Sequence, residues 1–117
     1  MGLTSVLVTI QGPKGSKEVS LVVDTGSEDT WIDKRVLKQI GLEPRFSRTY
    51  RTINNARLQR EVGPVEIEFM KLRMPCPTVF AEEGDVNVLG VTALEIHGLE
   101  VDPRTHELKH AEALAAF

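Results

Sequence analysis

The sequence predicts a mainly β domain, a small closed barrel or sandwich that carries one or two short helices. Three observations favour this class. Short apolar stretches of strand length recur along the chain, some of them alternate apolar and charged residues, and clusters of Gly, Pro, Asn and Asp separate them. The 117 residues, 41% hydrophobic and 26% charged, suit one globular domain spanning residues 1–117.

Eight segments have the composition or the period of strands. In chain order they are residues 4–10, 18–23, 30–32, 50–53, 57–62, 65–69, 78–81 and 86–89. The stretch QGPKG connects the first two strands into a hairpin that leads directly into Asp24. Asn54-Asn55, a dipeptide that tolerates positive φ, connects the fourth strand to the fifth.

Two short helices interrupt these strands. Asp33 is a suitable N-cap for a helix over residues 34–40, which a glycine ends. Residues 92–97 can form one or two helical turns before Gly98. The turn-forming residues at 102–105 then predict a last hairpin.

Composition limits the partners and the compartment. The formal charge of −3 gives no reason to expect nucleic acid or an anionic membrane as a partner. No apolar run approaches the roughly 20 residues that span a bilayer, and the N-terminus lacks the features of a secretory signal. Cys76 is the single cysteine, so no internal disulfide or cysteine-cluster metal site can form. We therefore expect a cytoplasmic protein with Cys76 as a buried apolar residue.

The stretch LVVDTGSEDTW, residues 21–31, contains the strongest chemical signal. Asp24 follows an apolar strand, where an ionised carboxylate is costly unless it has a partner. The tetrapeptide DTGS is also compatible with an ordinary turn. Its setting favours chemistry, because a second segment, NVLGVTALEIHG at residues 87–98, places an apolar-apolar-Gly strand before a helix.

Together these two segments resemble those of the retropepsin-like aspartic peptidases, the single-domain enzymes that include the retroviral proteases. The resemblance covers roughly residues 19–102. Its pattern is closest to the bacterial and archaeal members, because Val91 stands where retroviral enzymes usually carry arginine. The resemblance implies a small closed barrel of the acid-protease type and an endopeptidase that acts on peptides or proteins without a cofactor or metal.

Peptide hydrolysis of this kind needs two carboxylates that share one proton, one to activate water and one to protonate the carbonyl oxygen. The aspartic proteases are the established example of such a dyad. This chain contains one Asp-Thr-Gly and is too short for two lobes. The expected partner is therefore Asp24 of the partner subunit in a homodimer. The alternative is a non-catalytic peptide-binding or dimerisation module with the same fold.

The resemblance also implies roles for the neighbours of the catalytic aspartate. Thr25 would hydrogen-bond across the twofold axis, and Gly26 would let its N–H approach the carboxylate. Ser27 would donate its hydroxyl proton to that carboxylate. Glu28 and Asp29 would contact the substrate backbone.

Ile53, Asn54 and Asn55 would form the tip of the flap, the hairpin that closes over substrate in this family. This tip lacks the glycines that are usual in the retroviral enzymes. Trp31 is equally consistent with a substrate pocket and with the core.

Five arginines lie on the predicted flap, with no acidic residue between positions 45 and 60: Arg45, Arg48, Arg51, Arg57 and Arg60. Two interpretations stay open. The arginines either belong to a solvated hairpin or favour acidic substrates.

The stretch HELKH, residues 106–110, matches the HExxH zinc motif, which requires both histidines on one helix face. We expect no metal at His106 and His110, because the resemblance predicts that residues 107–110 form a strand. His97 lies near a predicted helix end, where it would interact with the helix dipole or lie at the surface.

Overall fold

The computed structural model describes residues 4–112. Its elements in chain order are β1 (Ser5–Gly12), β2 (Gly15–Val23), β3 (Thr30–Asp33), α1 (Lys34–Gln39), β4 (Phe46–Arg51), β5 (Arg57–Phe69), β6 (Leu72–Ala81), β7 (Val88–Leu89), α2 (Val91–Ile96), β8 (Leu99–Val101) and β9 (Leu108–His110). The predicted mainly β class with two short helices is confirmed. Within residues 4–112, no helix is long and apolar enough to cross a membrane.

Six strands close into a ring. Their neighbour order is β1-β2-β7-β3-β6-β5, and β5 pairs back with β1. Ile10 of β1 lies opposite Ile67 of β5 at this closure. β4 lies outside the ring and pairs with the first half of β5. Residues 46–62 therefore form a hairpin, here called the β4–β5 hairpin, that is attached to the ring through β5.

Apolar side chains of the strands fill the ring. Ile10, Ile67 and Phe80 are almost completely buried, and each helix adds one buried leucine, Leu37 from α1 and Leu94 from α2. Burying a side chain of this size contributes about 2 kcal/mol. The alternation of apolar and polar residues along the strands thus determines which face of each strand turns inward.

β5 is longer than expected, because the two segments predicted on either side of Gly63-Pro64 form one strand of 13 residues. Pro64 lies opposite Pro77 of β6. On the other edge of β5, the pairing with β4 ends at Val62, and the pairing with β1 begins at Glu66. Pro64 lies between these two partners, so its missing N–H removes no hydrogen bond from that edge.

The predicted cap and last hairpin are confirmed. The Asp33 carboxylate accepts the Arg35 N–H at 2.8 Å, and hydrogen bonds from Arg35 hold the pKa of Asp33 below its usual value. At the other end of the chain, Val101 of β8 pairs with Leu108 of β9. The HELKH stretch therefore lies on a turn and a strand, with His106 at a positive φ of 60°, and its histidines do not share a helix face.

His97 corrects the expectation of a surface residue. Its side chain is buried and packs against Phe69, with ring centroids 4.3 Å apart. Nδ1 lies 2.8 Å from the carbonyl oxygen of Ala93 in the last turn of α2, and Nε2 lies 3.0 Å from that of Ile67. The contact with the end of α2 agrees with the expected interaction with the helix dipole. The contact with β5 turns the ring inward, away from the surface. His97 thus fastens α2 to the sheet.

Candidate active site

Asp24 follows β2 at the point where β2 and β7 run parallel. Val23 is paired with Leu89, and the Asp24 N–H donates to the Leu89 carbonyl at 3.0 Å. The chain then turns, and the Ser27 N–H donates to the Asp24 carbonyl at 3.1 Å. Main-chain hydrogen bonds on both sides therefore fix the backbone of Asp24.

The start of α2 holds the far side of this turn. The Val91 N–H donates to the Ser27 carbonyl at 2.8 Å. The first N–H groups of a helix have no acceptor within the helix, so the Ser27 carbonyl of the loop supplies the acceptor for the Val91 N–H. Gly90 permits the close approach, because a Cβ there would lie 2.4 Å from the Asp29 carbonyl oxygen. The apolar-apolar-Gly segment is thus a support for the loop that carries Asp24.

The Asp24 side chain is half-buried. Its Oδ1 accepts the Gly26 N–H at 2.9 Å, as expected for Gly26. A Cβ on Gly26 would lie 3.2 Å from the same oxygen, so glycine leaves this approach uncrowded. Thr25, next to Asp24, is exposed. The loop therefore orients one carboxylate at the surface and leaves a hydroxyl beside it.

Ser27 differs from the expectation that it bonds to the Asp24 carboxylate. Its Oγ donates instead to the backbone carbonyl of Asp29 at 2.7 Å. The physical reason is the tight turn, which places that carbonyl two residues away within hydrogen-bond reach. In this structure the Ser27 hydroxyl stabilises the loop and does not bond to the Asp24 carboxylate.

The Asp29 carboxylate has partners within the chain. Its side chain is 3% exposed, and Oδ2 accepts from Arg48 Nη1 at 2.8 Å and from the Tyr50 hydroxyl at 2.6 Å. Burial, together with the hydrogen bond to Asp29, raises the pKa of Tyr50, so the phenol keeps its proton and donates. Asp29 Oδ2 is thus engaged by two side chains of the chain itself, and the substrate contact expected for Asp29 stays a prediction. Of the predicted acidic pair, only Glu28 is exposed.

A cleft of about 790 Å³ opens between the loop of Asp24 and the β4–β5 hairpin. Trp31 lies in its wall, half-buried, with its ring edge-on to Tyr50 at a centroid distance of 5.1 Å. This favours the pocket interpretation of Trp31. Ile53 is fully exposed and also lines the cleft, whereas Asn54 and Asn55 are exposed at the hairpin tip outside the cleft wall.

Several cleft residues were not singled out from the sequence: Tyr50, Leu58, Asp85 and Val86. A usable signal did exist. Five arginines with no acidic residue among them leave positive charges that carboxylates elsewhere in the chain can pair. Arg48 finds Asp29, and Arg60 finds Asp85.

A second groove, of about 820 Å³, lies on the other side of Asp24. Its wall includes Thr25 and apolar residues of β2, α2 and β8, among them Val23, Leu94 and Leu99. Within residues 4–112, Asp24 is the one residue that lines both this groove and the cleft. The carboxylate therefore lies on the ridge between two concave surfaces.

Comparison with known proteins agrees with this geometry. A family model described as aspartyl protease matches residues 6–93. A solved structure titled "EIAV protease complexed with the inhibitor HBY-793", a retroviral enzyme, has a TM-score of 0.63 at 14% identity, over 83% of this chain and 89% of that chain. No curated protein matches the sequence. The predicted retropepsin-like fold is confirmed. Since the family model spans most of the chain, this protein belongs to the aspartyl protease family and is an aspartic-type peptidase.

Proposed function

We propose that the protein is an endopeptidase that acts as a homodimer, in which each subunit supplies one Asp24 to a shared dyad. The position of Asp24 on the ridge between the cleft and the second groove carries this proposal. A partner subunit seated in the second groove would bring Asp24 of the partner subunit to the same ridge across a twofold axis. The exposed Thr25 hydroxyl would then hydrogen-bond across the axis.

Two carboxylates are required because one cannot act as acid and base at once. Close carboxylates share a proton, since both cannot ionise comfortably. The ionised Asp24 takes a proton from water as the water oxygen attacks the peptide carbonyl carbon. The protonated Asp24 gives its proton to the carbonyl oxygen. The tetrahedral intermediate then breaks at the C–N bond. One carboxyl gives its proton to the leaving amine, and the other carboxylate takes a hydroxyl proton from the intermediate, which leaves a carboxylic acid product and one proton on the dyad.

The cleft suits an extended peptide with apolar side chains. Trp31, Tyr50, Leu58 and Val86 offer apolar surface, and Ile53 at the hairpin tip adds more when the tip lies over the substrate. Glu28 is the exposed acidic group beside Asp24 that would accept backbone N–H bonds from the substrate. Asn54 and Asn55 would form the tip of the flap.

The shared dyad is tested by mixing chains. Asp24→Asn keeps the side-chain shape and removes the ionisable group, so its homodimer should fold and be inactive. Wild-type and variant chains are unfolded together, refolded and assayed on a peptide library by mass spectrometry. Activity should follow the square of the wild-type fraction, so that an equal mixture keeps about a quarter of the activity. Independent monomers would keep about a half.

A linear dependence on the wild-type fraction, or a monomer by light scattering at the assay concentration, would contradict the shared dyad.

A hydroxyl-containing mimic of the tetrahedral intermediate should inhibit the wild type. Activity should peak on the acid side of neutrality and fall at alkaline pH, where both carboxylates ionise. Peptide binding without any cleavage would instead favour the non-catalytic module.

A further inference from the structure

The inner face of the β4–β5 hairpin carries two arginines at one position of the ladder. Arg48 of β4 lies directly opposite Arg60 of β5. Their neighbours on the same face are Tyr50 and Leu58, which also lie opposite each other. Like charges directly across a pair of strands destabilise the pairing. This pair therefore needs compensation from outside the hairpin.

Each of the two arginines binds a carboxylate from the body of the protein. Arg48 Nη1 lies 2.8 Å from Asp29 Oδ2, and the Tyr50 hydroxyl donates to the same oxygen. Arg60 binds Asp85 through two nitrogens, at 2.7 Å and 3.0 Å. The Asp29 and Asp85 side chains are only 3% and 11% exposed. Charge-assisted bonds of this kind, above all the bidentate pair, fix geometry as well as charge.

The two carboxylates belong to two different loops, and both residues line the cleft. Asp29 ends the loop that carries Asp24, and Asp85 lies in the loop that precedes β7. The backbone of the Asp85 loop is itself ordered, because Asp85 Oδ2 also accepts the Glu82 N–H at 2.8 Å. Each strand of the hairpin is thus fastened to a different loop of the cleft wall.

The outer face of the same hairpin offers a contrast. Arg51 and Arg57 also lie directly opposite each other, both are exposed, and among the described residues neither forms an ion pair with an acidic side chain. Among the described residues, the compensation is therefore confined to the face that carries Arg48 and Arg60, although Arg51 also lines the cleft.

We propose that Asp29 and Asp85 are positioning residues, which hold the base of the β4–β5 hairpin over the cleft through their bonds to Arg48 and Arg60. With the base fixed, only the tip at residues 52–56 needs to move to admit a substrate. The double latch, meaning these two ion pairs, then determines how tightly a peptide is held and leaves the chemistry to Asp24. This inference rests on the proposed peptidase function.

Kinetics separate positioning from a general structural role. Arg48→Gln and Arg60→Gln each release one latch, so KM for an uncharged apolar peptide should rise about tenfold while kcat stays within about threefold. Arg57→Gln is the matched control, because it removes the same charge from the outer face of the same hairpin. Its KM should stay within about twofold of the wild-type value.

Trp31 supplies a readout that needs no activity. It is the single tryptophan of the chain, and its ring packs against Tyr50, whose hydroxyl donates to the same Asp29 oxygen that binds Arg48. Acrylamide quenching of Trp31 fluorescence should increase about twofold in Arg48→Gln and remain unchanged in Arg57→Gln. Amide exchange over residues 46–62 should accelerate at least tenfold in both latch variants, with the strands β1 and β2 unaffected.

Tyr50→Phe is the second variant, in case a charge removal prevents folding. It deletes one hydrogen bond to Asp29 and keeps the ring beside Trp31, so exchange over residues 46–62 should still accelerate about threefold. Equal KM and equal exchange in the latch variants and Arg57→Gln would overturn the proposal. So would acceleration spread evenly over the whole sheet. If neither the wild type nor any variant cleaves a peptide, the proposed function is wrong. Acrylamide quenching of Trp31 and amide exchange over residues 46–62 then still test whether the two ion pairs hold the hairpin.

Discussion

Gly90 gives the sharpest test of how the loop that carries Asp24 is supported. An alanine Cβ there would lie 2.4 Å from the carbonyl oxygen of Asp29 and 2.8 Å from that of Glu28. The φ of Gly90 is −84°, which any residue adopts, so Gly90→Ala would act through contact and not through backbone strain. Comfortable nonbonded separations are roughly 3.5 Å. The loop or the start of α2 must therefore shift by about 1 Å.

This shift has two measurable consequences. Overpacking of this kind costs about 1–3 kcal/mol of unfolding free energy, which lowers Tm by about 4 °C per kcal/mol in a chain of this size. A displacement of about 1 Å at a catalytic group can lower the rate on the order of a hundredfold. We expect Gly90→Ala to retain its fold, with a lower Tm by circular dichroism and kcat/KM reduced about a hundredfold.

Gly12→Ala is the matched control. A Cβ at Gly12 would lie 2.2 Å from the carbonyl oxygen of Ile40, an equally severe contact, but Gly12 lines neither the cleft nor the second groove. Its Tm should fall comparably, while kcat/KM per folded molecule stays within about threefold. Full activity in Gly90→Ala, or equal loss in both variants after correction for the folded fraction, would refute the reasoning.

Two further predictions concern ionisable groups. Hydrogen bonds from Arg60 hold the pKa of Asp85 below its usual value. The ionised Asp85 therefore stabilises the fold above about pH 4, the ordinary pKa of the group. This stabilisation is lost as the pH falls through the lower pKa of Asp85 in the folded protein. Asp85→Asn should therefore cost on the order of 2 kcal/mol at neutral pH, and its Tm should converge with that of the wild type in acid; a constant difference down to pH 2 would contradict this. Burial raises the pKa of the Cys76 thiol to about 11. Cys76 should resist an aromatic disulfide reagent at pH 8 in the native protein and react rapidly in guanidinium chloride; rapid native reaction would show that the residue is accessible.

The sequence predicted well what local chemistry decides. Asp33 caps α1 because a side-chain oxygen can reach an N–H two residues away, and Gly98 ends α2 at a φ of 70°. The strand ahead of Asp24 is apolar because it is buried on one face of the ring. Each of these features depends on residues that lie close together along the chain, so composition and spacing carry the information.

Features that depend on distant contacts were missed. Asp29 meets Arg48 and Tyr50, which follow it by 19 and 21 residues, and the His97 ring meets Ile67 at a separation of 30. No local pattern reports such contacts. The turn after β5 was missed for a different reason. Met70 and Lys71 both adopt positive φ without the Gly or Asn that normally signals this conformation.

The two halves of the site are held by different forces. The loop of Asp24 is fixed by main-chain hydrogen bonds to Leu89 and from Val91, which carry no net charge and respond weakly to salt. The β4–β5 hairpin is fixed by ion pairs, and the Arg48 side chain is 44% exposed, so its attraction to Asp29 is partly screened. We propose that the chemistry depends on the first set and the grip on substrate on the second, so added salt should raise KM before it lowers kcat. On this proposal, a short chain keeps the loop of Asp24 rigid, while salt-sensitive ion pairs set how firmly the hairpin is held over the cleft.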